Sequence, residues 1–474
     1  MPKKTYVTPY DIIIPVHNRH DCLKECLDSL FAKTNYPNFH VLIINDCSND
    51  IETNKYIDTL KSNPKITVLE NQANLGFIAS VNKGMRLTNN NVILLNSDVI
   101  LTRNWLSKMH ELAYAKPSVA TVTPLTNNAV ICSVPEWLAE NQFQSTIPLD
   151  EYAELIERIS FRRYPFIPFG YAFCLLLKRE VLNKVGYFNE KDYEKGYYDD
   201  NDFSIRVMKS GYRHLLDDST FVLHRGHMSF GDGLLRADIA TKNYNTLIKT
   251  YPEYEEFYNR YISSDPLGSV INNIQLHTAY LNGKKNIVYI VDDNRAQVKD
   301  QAFHDAIKEI REDFNLFLLT KRNKRLFLEQ CIFNNRQRFE FGINNDKTFV
   351  EILGVLIESL HINAVHFHTS LSKMGGSFAG YDGVHITRGG IGEYKDFYNS
   401  LTADINTKGR TSVNLSMLLK DISNGGVDPG KLLYSVIKKR SRKPSVLKRV
   451  RARVNNVAAA VRRKFTFLIS NNPL

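Results

Sequence analysis

Val92-Ile93-Leu94-Leu95-Asn96-Ser97-Asp98-Val99 is the stretch whose reading decides the fold. Four apolar residues in a row, two of them β-branched, read as a strand buried on both faces of a parallel sheet. The run then breaks into Asn96-Ser97-Asp98, polar residues that a core strand avoids. In open α/β sheets ligands bind in the crevice at the carboxyl ends of the strands. A carboxylate there is placed to hold a divalent cation against a phosphate, because hard cations take oxygen ligands. The competing reading is an ordinary strand-to-turn boundary, where Asn and Asp are common.

The flanking sequence decides between them. Upstream, Tyr10-Asp11-Ile12-Ile13-Ile14-Pro15-Val16 reads as a short strand closed by Pro15, followed by a His17-Asn18-Arg19 loop and a helix capped by Asp21. Val41-Leu42-Ile43-Ile44 is a second buried strand ending in Asn45-Asp46-Cys47-Ser48-Asn49-Asp50, and Ile66-Thr67-Val68-Leu69 a third ending in Glu70 to Phe77. A helix through Ala79, Val81, Met85 and Leu87 leads back to Val92. Strand and helix alternate with short connections, the pattern of a doubly wound α/β sheet. Polar residues gather at one edge of it, which is a site signature. No G-x-G-x-x-G follows the first strand and no G-x-x-x-x-G-K-[ST] occurs, so a dinucleotide site and a P-loop lack support.

The order IIIPVHNR, IINDCSND, ENQANLGF with a following NKG, and ILLNSDV resembles the amino-terminal half of family-two inverting glycosyltransferases, in particular a rhamnosyltransferase-like group with the GT-A fold. The resemblance implies that Asp98 is the metal-binding acid of a D-x-D-type motif, with Asn96 where many members carry the first Asp. It further implies that Pro15, Val16, His17, Arg19, Asp46, Asn74, Gly76 and Ser97 surround the donor nucleotide, Asp46 reading its base or ribose. Downstream, Tyr197-Tyr198-Asp199-Asp200-Asn201-Asp202 could be a solvated helix start, where the macrodipole favours acids. It also resembles the family's E-D-x-D motif, which makes Asp200 the catalytic base, with Asp199 in place of the Glu. Asp199, Asp202, Gly170 and Tyr171 are carried as acceptor-side or structural residues. His224, at the end of a short strand, matches a His that completes the metal's coordination in several relatives, with His227 the second choice. The cofactor so implied is Mn²⁺ or Mg²⁺.

The likeness runs from about Tyr10 to Phe230, and the expected divisions are 1–265 for the GT-A domain, 266–285 for a linker, 286–430 for a Rossmann-like accessory domain and 431–474 for a basic tail. The accessory domain, with strands at Asn286 to Asp293, Phe314 to Leu319 and Ala364 to His368, weakly resembles half of a GT-B transferase. His366 and His368 alternate on one strand face without a third ligand in sight. The Tyr- and Phe-rich stretch from Tyr244 to Tyr261 reads as packing, or as the lining of an acceptor groove.

Composition bounds the rest. At 474 residues, 43% hydrophobic and 23% charged, the chain is a globular protein of two or three domains. No apolar run is long enough to span a bilayer and no signal-like stretch follows Met1-Pro2-Lys3-Lys4, so a cytoplasmic location is expected. The six cysteines show no CxxC or zinc spacing and read as reduced thiols. The net charge of +11 belongs to the tail: residues 431–474 hold 13 Lys and Arg and no acid, leaving 48 basic against 50 acidic residues before them. No nucleic-acid partner is expected. In the tail Val450, Val454, Val457, Val461, Phe465 and Leu468 recur at helical spacing among Lys and Arg. That is a basic amphipathic helix suited to the anionic inner face of a membrane, with a coiled-coil seam or RNA-binding arm as competing readings.

The function implied is metal-dependent transfer of a sugar from a nucleotide-diphosphate sugar to a hydroxyl of a glycan or lipid-linked glycan. The rivals are a sugar nucleotidyltransferase, for which a glycine-rich basic phosphate loop is missing, and a catalytically inactive glycan-binding or scaffold protein, against which the acids at Asp98 and Asp200 count.

Overall fold

In a computed structural model the described residues are 8–193, 195–226, 233–292, 310–322, 325–331, 338–342, 349, 352–354, 356–357, 360–368 and 385–389. The chain divides into two compact units, the first running to Ile271 apart from short excursions and the second made chiefly of Asn272 onward. The expected mixed α/β sheet is present, together with a second, smaller one.

The first unit is built on β1 (Tyr10–Val16), β2 (Phe39–Asn45), β3 (Ile66–Glu70), β4 (Asn91–Leu95), β5 (Val99–Ile100), β6 (Val119–Thr126), β7 (Phe166–Ile167), β8 (Cys174–Leu177) and β9 (Arg213–His224). Their order is β3-β2-β1-β4-β8-β6-β9-β5, with β7 also on β9. β1 to β4 run parallel, as strands joined by helices should, with β1, β2 and β4 largely buried and β3 at the sheet edge. The connecting helices are α1 (His20–Lys33), α2 (Ile51–Leu60) and α3 (Gly76–Leu87), followed by α4 (Trp105–Ala113), α5 (Leu149–Ile159), α6 (Arg179–Val185), α7 (Asp199–Lys209), α8 (Gly233–Thr250) and α9 (Tyr254–Ser263). Ile13, Ile44, Val81, Met85, Val92, Leu94, Leu175, Phe203 and Val207 meet in one buried core. Each such side chain stabilises the fold by about 1.5–3 kcal/mol relative to exposure.

Two local expectations are corrected. Pro15 does not close β1, which continues through Val16. The register explains why: β4 pairs only with Tyr10 to Ile13, so beyond Ile13 a missing N–H costs nothing on that side, while β2 stays in register to Val16. Asp21 does not cap α1 either. The N-cap is Arg19, with φ 61, and Asp21 lies inside the first turn, bound to the Arg19 guanidinium at 2.8 Å. Residues 266–285, expected as a linker, hold α10 (Gly268–Thr278), whose Val270, Ile271, Ile274 and Leu276 are buried.

The second unit carries β10 (Lys285–Asp292), β11 (Phe314–Arg322), β12 (Arg325–Gln330), β13 (Arg338–Gly342), β14 (Ile362–His368) and β15 (His385–Gly389) in the order β13-β12-β11-β10-β14-β15. β10, β11, β14 and β15 are parallel, with β12 and β13 added antiparallel at one edge. The side chains of His366 and His368, the residue His227 and the whole 431–474 tail lie outside the described residues. Among the described residues no helix is long and apolar enough to cross a membrane, and the six cysteines are free.

Candidate active site

Parallel register puts the ends of β1, β2 and β4 at one edge, with Val16 opposite Asn45 and Ile13 opposite Leu94. The polar loops that follow them therefore meet. Asn18, with φ 60, joins the first two: its backbone N–H donates to Ser48 Oγ at 2.9 Å, and its Oδ1 accepts from the N–H groups of Asn49 and Asp50. His17 Nδ1 donates to the Asp46 carbonyl at 3.0 Å, which leaves Nε2 to accept from the Asn74 amide at 3.2 Å. Pro15, His17 and Arg19 are half-buried and Asn74 is exposed, whereas Val16 and Ser97 are buried.

Asp46, expected beside the base or ribose, also has a structural role. Its carboxylate, 4% exposed, accepts from Asn71 Nδ2, Leu75 N and Gly76 N, each at 2.8 Å. Asp46 thus caps α3 from a neighbouring strand, satisfying N–H groups that a helix start leaves without partners. Gly76 has φ +84, and a Cβ there would lie 2.7 Å from the Lys195 Cα. Only glycine suits such a position, so this residue lets the loop before α7 cross the start of α3, where Phe77 N donates to the Lys195 carbonyl.

Asp98 follows β4 and is 5% exposed. β5, which begins at the next residue, pairs antiparallel with the end of β9, Val99 opposite His224. That pairing carries His224 to Asp98, Nε2 lying 3.4 Å from Oδ1. A break in the β9 register between Asp217 and Phe221 aims the strand end, and the Asp217 carboxylate holds it by accepting from Ser219 and Thr220. His224 Nδ1 lies 2.6 Å from the Asn128 carbonyl. A carbonyl only accepts, so Nδ1 carries the hydrogen and Nε2 faces Asp98 and the Asn96 amide. Metal-ligating histidines are fixed in this way by a second partner. Phe173 stacks on the imidazole at 5.2 Å and 17°. Burial lowers the His224 pKa, but the Asp98 carboxylate outweighs it and the net shift is upward. The pair fits a divalent cation: one carboxylate oxygen and one pre-oriented imidazole nitrogen point at each other. Among the described residues no group of three His, Cys, Asp or Glu side chains completes a cage, so the remaining ligands would be oxygens of a substrate.

Asp199, Asp200 and Asp202 occupy the first turn of α7, and their neighbours separate them. Lys195, Tyr197 and Tyr198 before them all have φ between 55 and 69, a costly run for residues with side chains. Asp202, 2% exposed, accepts from Arg206 Nε at 2.9 Å and from the Tyr251 hydroxyl at 3.0 Å. It is a structural acid. Asp199 is 4% exposed and its Oδ2 has no partner among the described residues; burial first, and then the charge of Asp200, push its pKa well above the carboxylate range. Asp200 is half-buried, and burial pushes its pKa up to about 6 despite N–H groups of its own turn. It lies near Tyr171, Tyr198, Tyr254 and Cys132, each of which feels its charge. Gly170 packs its Cα against Thr121 and His214, where a Cβ would come within 2.9 Å of Thr121 Oγ1.

Asn127, Asn128 and Cys132 escaped sequence reasoning. The loop they belong to braces the His224 centre: Asn127 Oδ1 accepts from His224 N at 2.8 Å, while its Cys132 is buried. Nothing in a run of Asn, Ala and Val after β6 marks it; only the fold does.

The model of the family described as glycosyl transferase family 2 matches residues 11–186. An uncharacterized protein, y4gI, of Sinorhizobium fredii is 23% identical over 46% of this chain and 25% of its own length. The O-antigen biosynthesis protein RfbC of Myxococcus xanthus is 24% identical over 45% of this chain and 17% of its own. The chain thus spans a quarter or less of these curated relatives. Among solved structures, mannosyltransferase PcManGT from Pyrobaculum calidifontis, in complex with GDP-Man and Mn²⁺, superposes with a TM-score of 0.40 at 18% identity over 57% of this chain and 74% of that one. With β1 to β4, Asp46 and Asp98 all inside the matched span, the chain carries a glycosyl transferase family 2 domain over residues 11–186.

Proposed function

We propose that the first unit is an inverting, metal-dependent glycosyltransferase that moves a sugar from a nucleotide-diphosphate sugar to a hydroxyl of a glycan or lipid-linked glycan. One observation carries the reading: the first unit holds two acid centres of opposite chemistry. Asp98 faces a histidine whose tautomer is fixed, while Asp200 has no Lys or Arg partner among the described residues and sits among phenols.

A cation held by Asp98 and His224 would neutralise the charge that grows on the diphosphate as the nucleotide leaves. Pro15, His17, Arg19, Asn74 and Ser97 line the donor side, with Asp46 positioning the loop above them. Asp200 takes the proton of the acceptor hydroxyl as that oxygen bonds to the anomeric carbon. The bond to the diphosphate breaks on the opposite face, its electron pair leaving on the phosphate oxygen, so configuration inverts. A pKa near 6 suits this task, since a base is most effective when its pKa lies near the working pH. One carboxylate suffices at the reacting carbon, unlike a glycosidase, which flanks the bond with two. The likeness to an O-antigen biosynthesis protein, RfbC, supports a surface-polysaccharide acceptor. The second sheet is an accessory domain, and the basic tail holds the enzyme on the inner face of the membrane.

The test is a panel of nucleotide-diphosphate sugars, assayed for binding and slow hydrolysis with Mn²⁺ and with EDTA. Wild type should need the cation, and Asp98→Ala should lose both metal-dependent binding and turnover. Full activity of Asp98→Ala in EDTA refutes the metal role. Diphosphate release from a nucleoside triphosphate and a sugar phosphate would point to a nucleotidyltransferase, and silence towards every nucleotide sugar to a glycan-binding scaffold.

A further inference from the structure

Beside Asp200 runs a ladder of aromatic rings that the donor chemistry does not use. Tyr198, two residues before Asp200, meets Tyr244 of α8 at 5.4 Å, and Tyr244 meets Tyr254 of α9 at 6.5 Å. Tyr254 and Tyr258 lie parallel, 6.1 Å apart at 8°, and both stack on Phe169. The ladder is tied to the start of α7, because Asn201 Nδ2 donates to the Tyr254 hydroxyl at 3.3 Å. Phe169 leads through Gly170 to Tyr171, whose phenol shares the neighbourhood of Asp200.

Most such rings simply pack a core, and Tyr254 is buried as a core ring would be. The others are not: Tyr171, Tyr198, Tyr244 and Tyr258 pack against the core yet stay partly exposed. Buried phenols ordinarily find a hydrogen-bond partner. Tyr244 has one in Glu255, but among the described residues no group bonds the hydroxyls of Tyr171, Tyr198 or Tyr258. Flat apolar faces edged with free hydroxyls match one ligand class well. A pyranose ring has an apolar C–H face and a rim of hydroxyls, whereas a lipid chain would leave the phenols unsatisfied.

We propose that Tyr198, Tyr244 and Tyr258 form an acceptor subsite that stacks against a pyranose ring and, with Tyr171, bonds its rim, presenting one hydroxyl of that sugar to Asp200. The proposal rests on the transfer reading for the role of Asp200 and names the acceptor as a saccharide rather than a lipid or peptide hydroxyl.

The experiment is saturation-transfer NMR on the full chain with methyl α-D-mannopyranoside, methyl β-D-glucopyranoside, methyl β-D-galactopyranoside and methyl N-acetyl-β-D-glucosaminide, beside dodecyl phosphate as a lipid-like probe. At least one pyranoside should bind, with saturation strongest on the C–H protons of one ring face. Tyr258→Ala and Tyr244→Ala should each weaken it about tenfold, the effect of one lost aromatic contact. Tyr258→Phe keeps the ring and the packing and loses a hydroxyl, so it should fall between Tyr258→Ala and wild type, which guards against misfolding of the Ala variant. Equal binding by all variants, or binding of dodecyl phosphate alone, overturns the proposal. Donor titration with Mn²⁺ runs in parallel. Ring-dependent sugar binding without donor binding would sink the transfer reading and leave a glycan-binding platform. Donor binding without any sugar binding would sink the platform and leave the transfer reading.

Discussion

At the scale of single residues, three acids in one helical turn have three different fates, and their neighbours decide which. Asp200→Asn keeps size and most hydrogen bonding, yet an amide cannot take the proton. Loss of a positioned base costs about 100- to 10,000-fold in rate. Transfer should fall by that order while nucleotide-sugar affinity by calorimetry stays within a few fold of wild type, and a near-normal rate would remove Asp200 from the mechanism. In wild type the acid limb of kcat/KM should rise to a plateau above about pH 6, where Asp200 is ionised. Asp199 makes a stability prediction instead. Unfolded, its carboxyl ionises at about pH 4; folded, burial and the charge of Asp200 hold it well higher. A carboxyl with a raised folded pKa contributes stability that is fully present below the unfolded value and is lost as pH rises through the folded one. Asp199→Asn removes that loss, so its Tm should exceed wild type at pH 7.5 and converge with it near pH 4. A constant difference across that range would place the effect elsewhere. The sequence displayed all three acids; it could not display that Arg206 and Tyr251 occupy Asp202 or that Asp199 has no partner for Oδ2 among the described residues.

At the scale of elements, the parallel strands were legible because three buried runs and one edge strand carry their own signal in β-branched residues. What the sequence misjudged lies at their ends. Pro15 looked like a stop, yet where β4 stops pairing decides whether its missing N–H matters. Asp21 had the residue type of a cap, but the left-handed turn at Asn18 and Arg19 starts the helix two positions earlier. Asp46 is a different case: its motif resembles a nucleotide contact, and the folded chain adds a second role, as the cap of a helix 30 residues on. That capping role is testable. Asp46→Ala removes three hydrogen bonds at once, and loss of a cap together with buried N–H groups left without acceptors costs about 1–3 kcal/mol. Urea unfolding should show that loss, accompanied by weaker donor binding because His17 and Asn74 hang from the same loops. A stable Asp46→Ala protein with selectively lost donor binding would return the carboxylate to the nucleotide. His224 belongs to this scale as well, since the pairing of β5 with β9 takes it to Asp98 across 126 residues of chain, a distance no spacing rule spans.

At the scale of the whole molecule, charge and chemistry lie in different places. The sheets and their site occupy a part of the chain whose acids and bases nearly balance, while residues 431–474 carry 13 Lys and Arg with no acid. If that tail is an electrostatic anchor, it acts on location and leaves the reacting groups untouched. A basic residue near an anionic surface contributes about 1 kcal/mol, so several acting together hold a protein firmly at low salt. Screening then weakens the attachment as ionic strength rises, because the Debye length falls from about 30 Å at 0.01 M to about 10 Å at 0.1 M. Deleting the chain from Pro444 onward removes Lys448, Arg449, Arg451, Arg453, Arg462, Arg463 and Lys464 together with the apolar face between them. The truncated protein should sediment no longer with vesicles containing phosphatidylglycerol, whereas full-length protein should do so in 50 mM salt and detach in 500 mM. Donor hydrolysis by the truncated protein should match that of the full chain, since no residue assigned to the site lies beyond Pro444. Equal vesicle binding by the two proteins would refute the anchor. Salt-resistant binding lost on truncation would shift the attraction from the charges to Val450, Val454, Val457, Val461, Phe465 and Leu468, making the tail an apolar clasp that the basic residues only keep soluble.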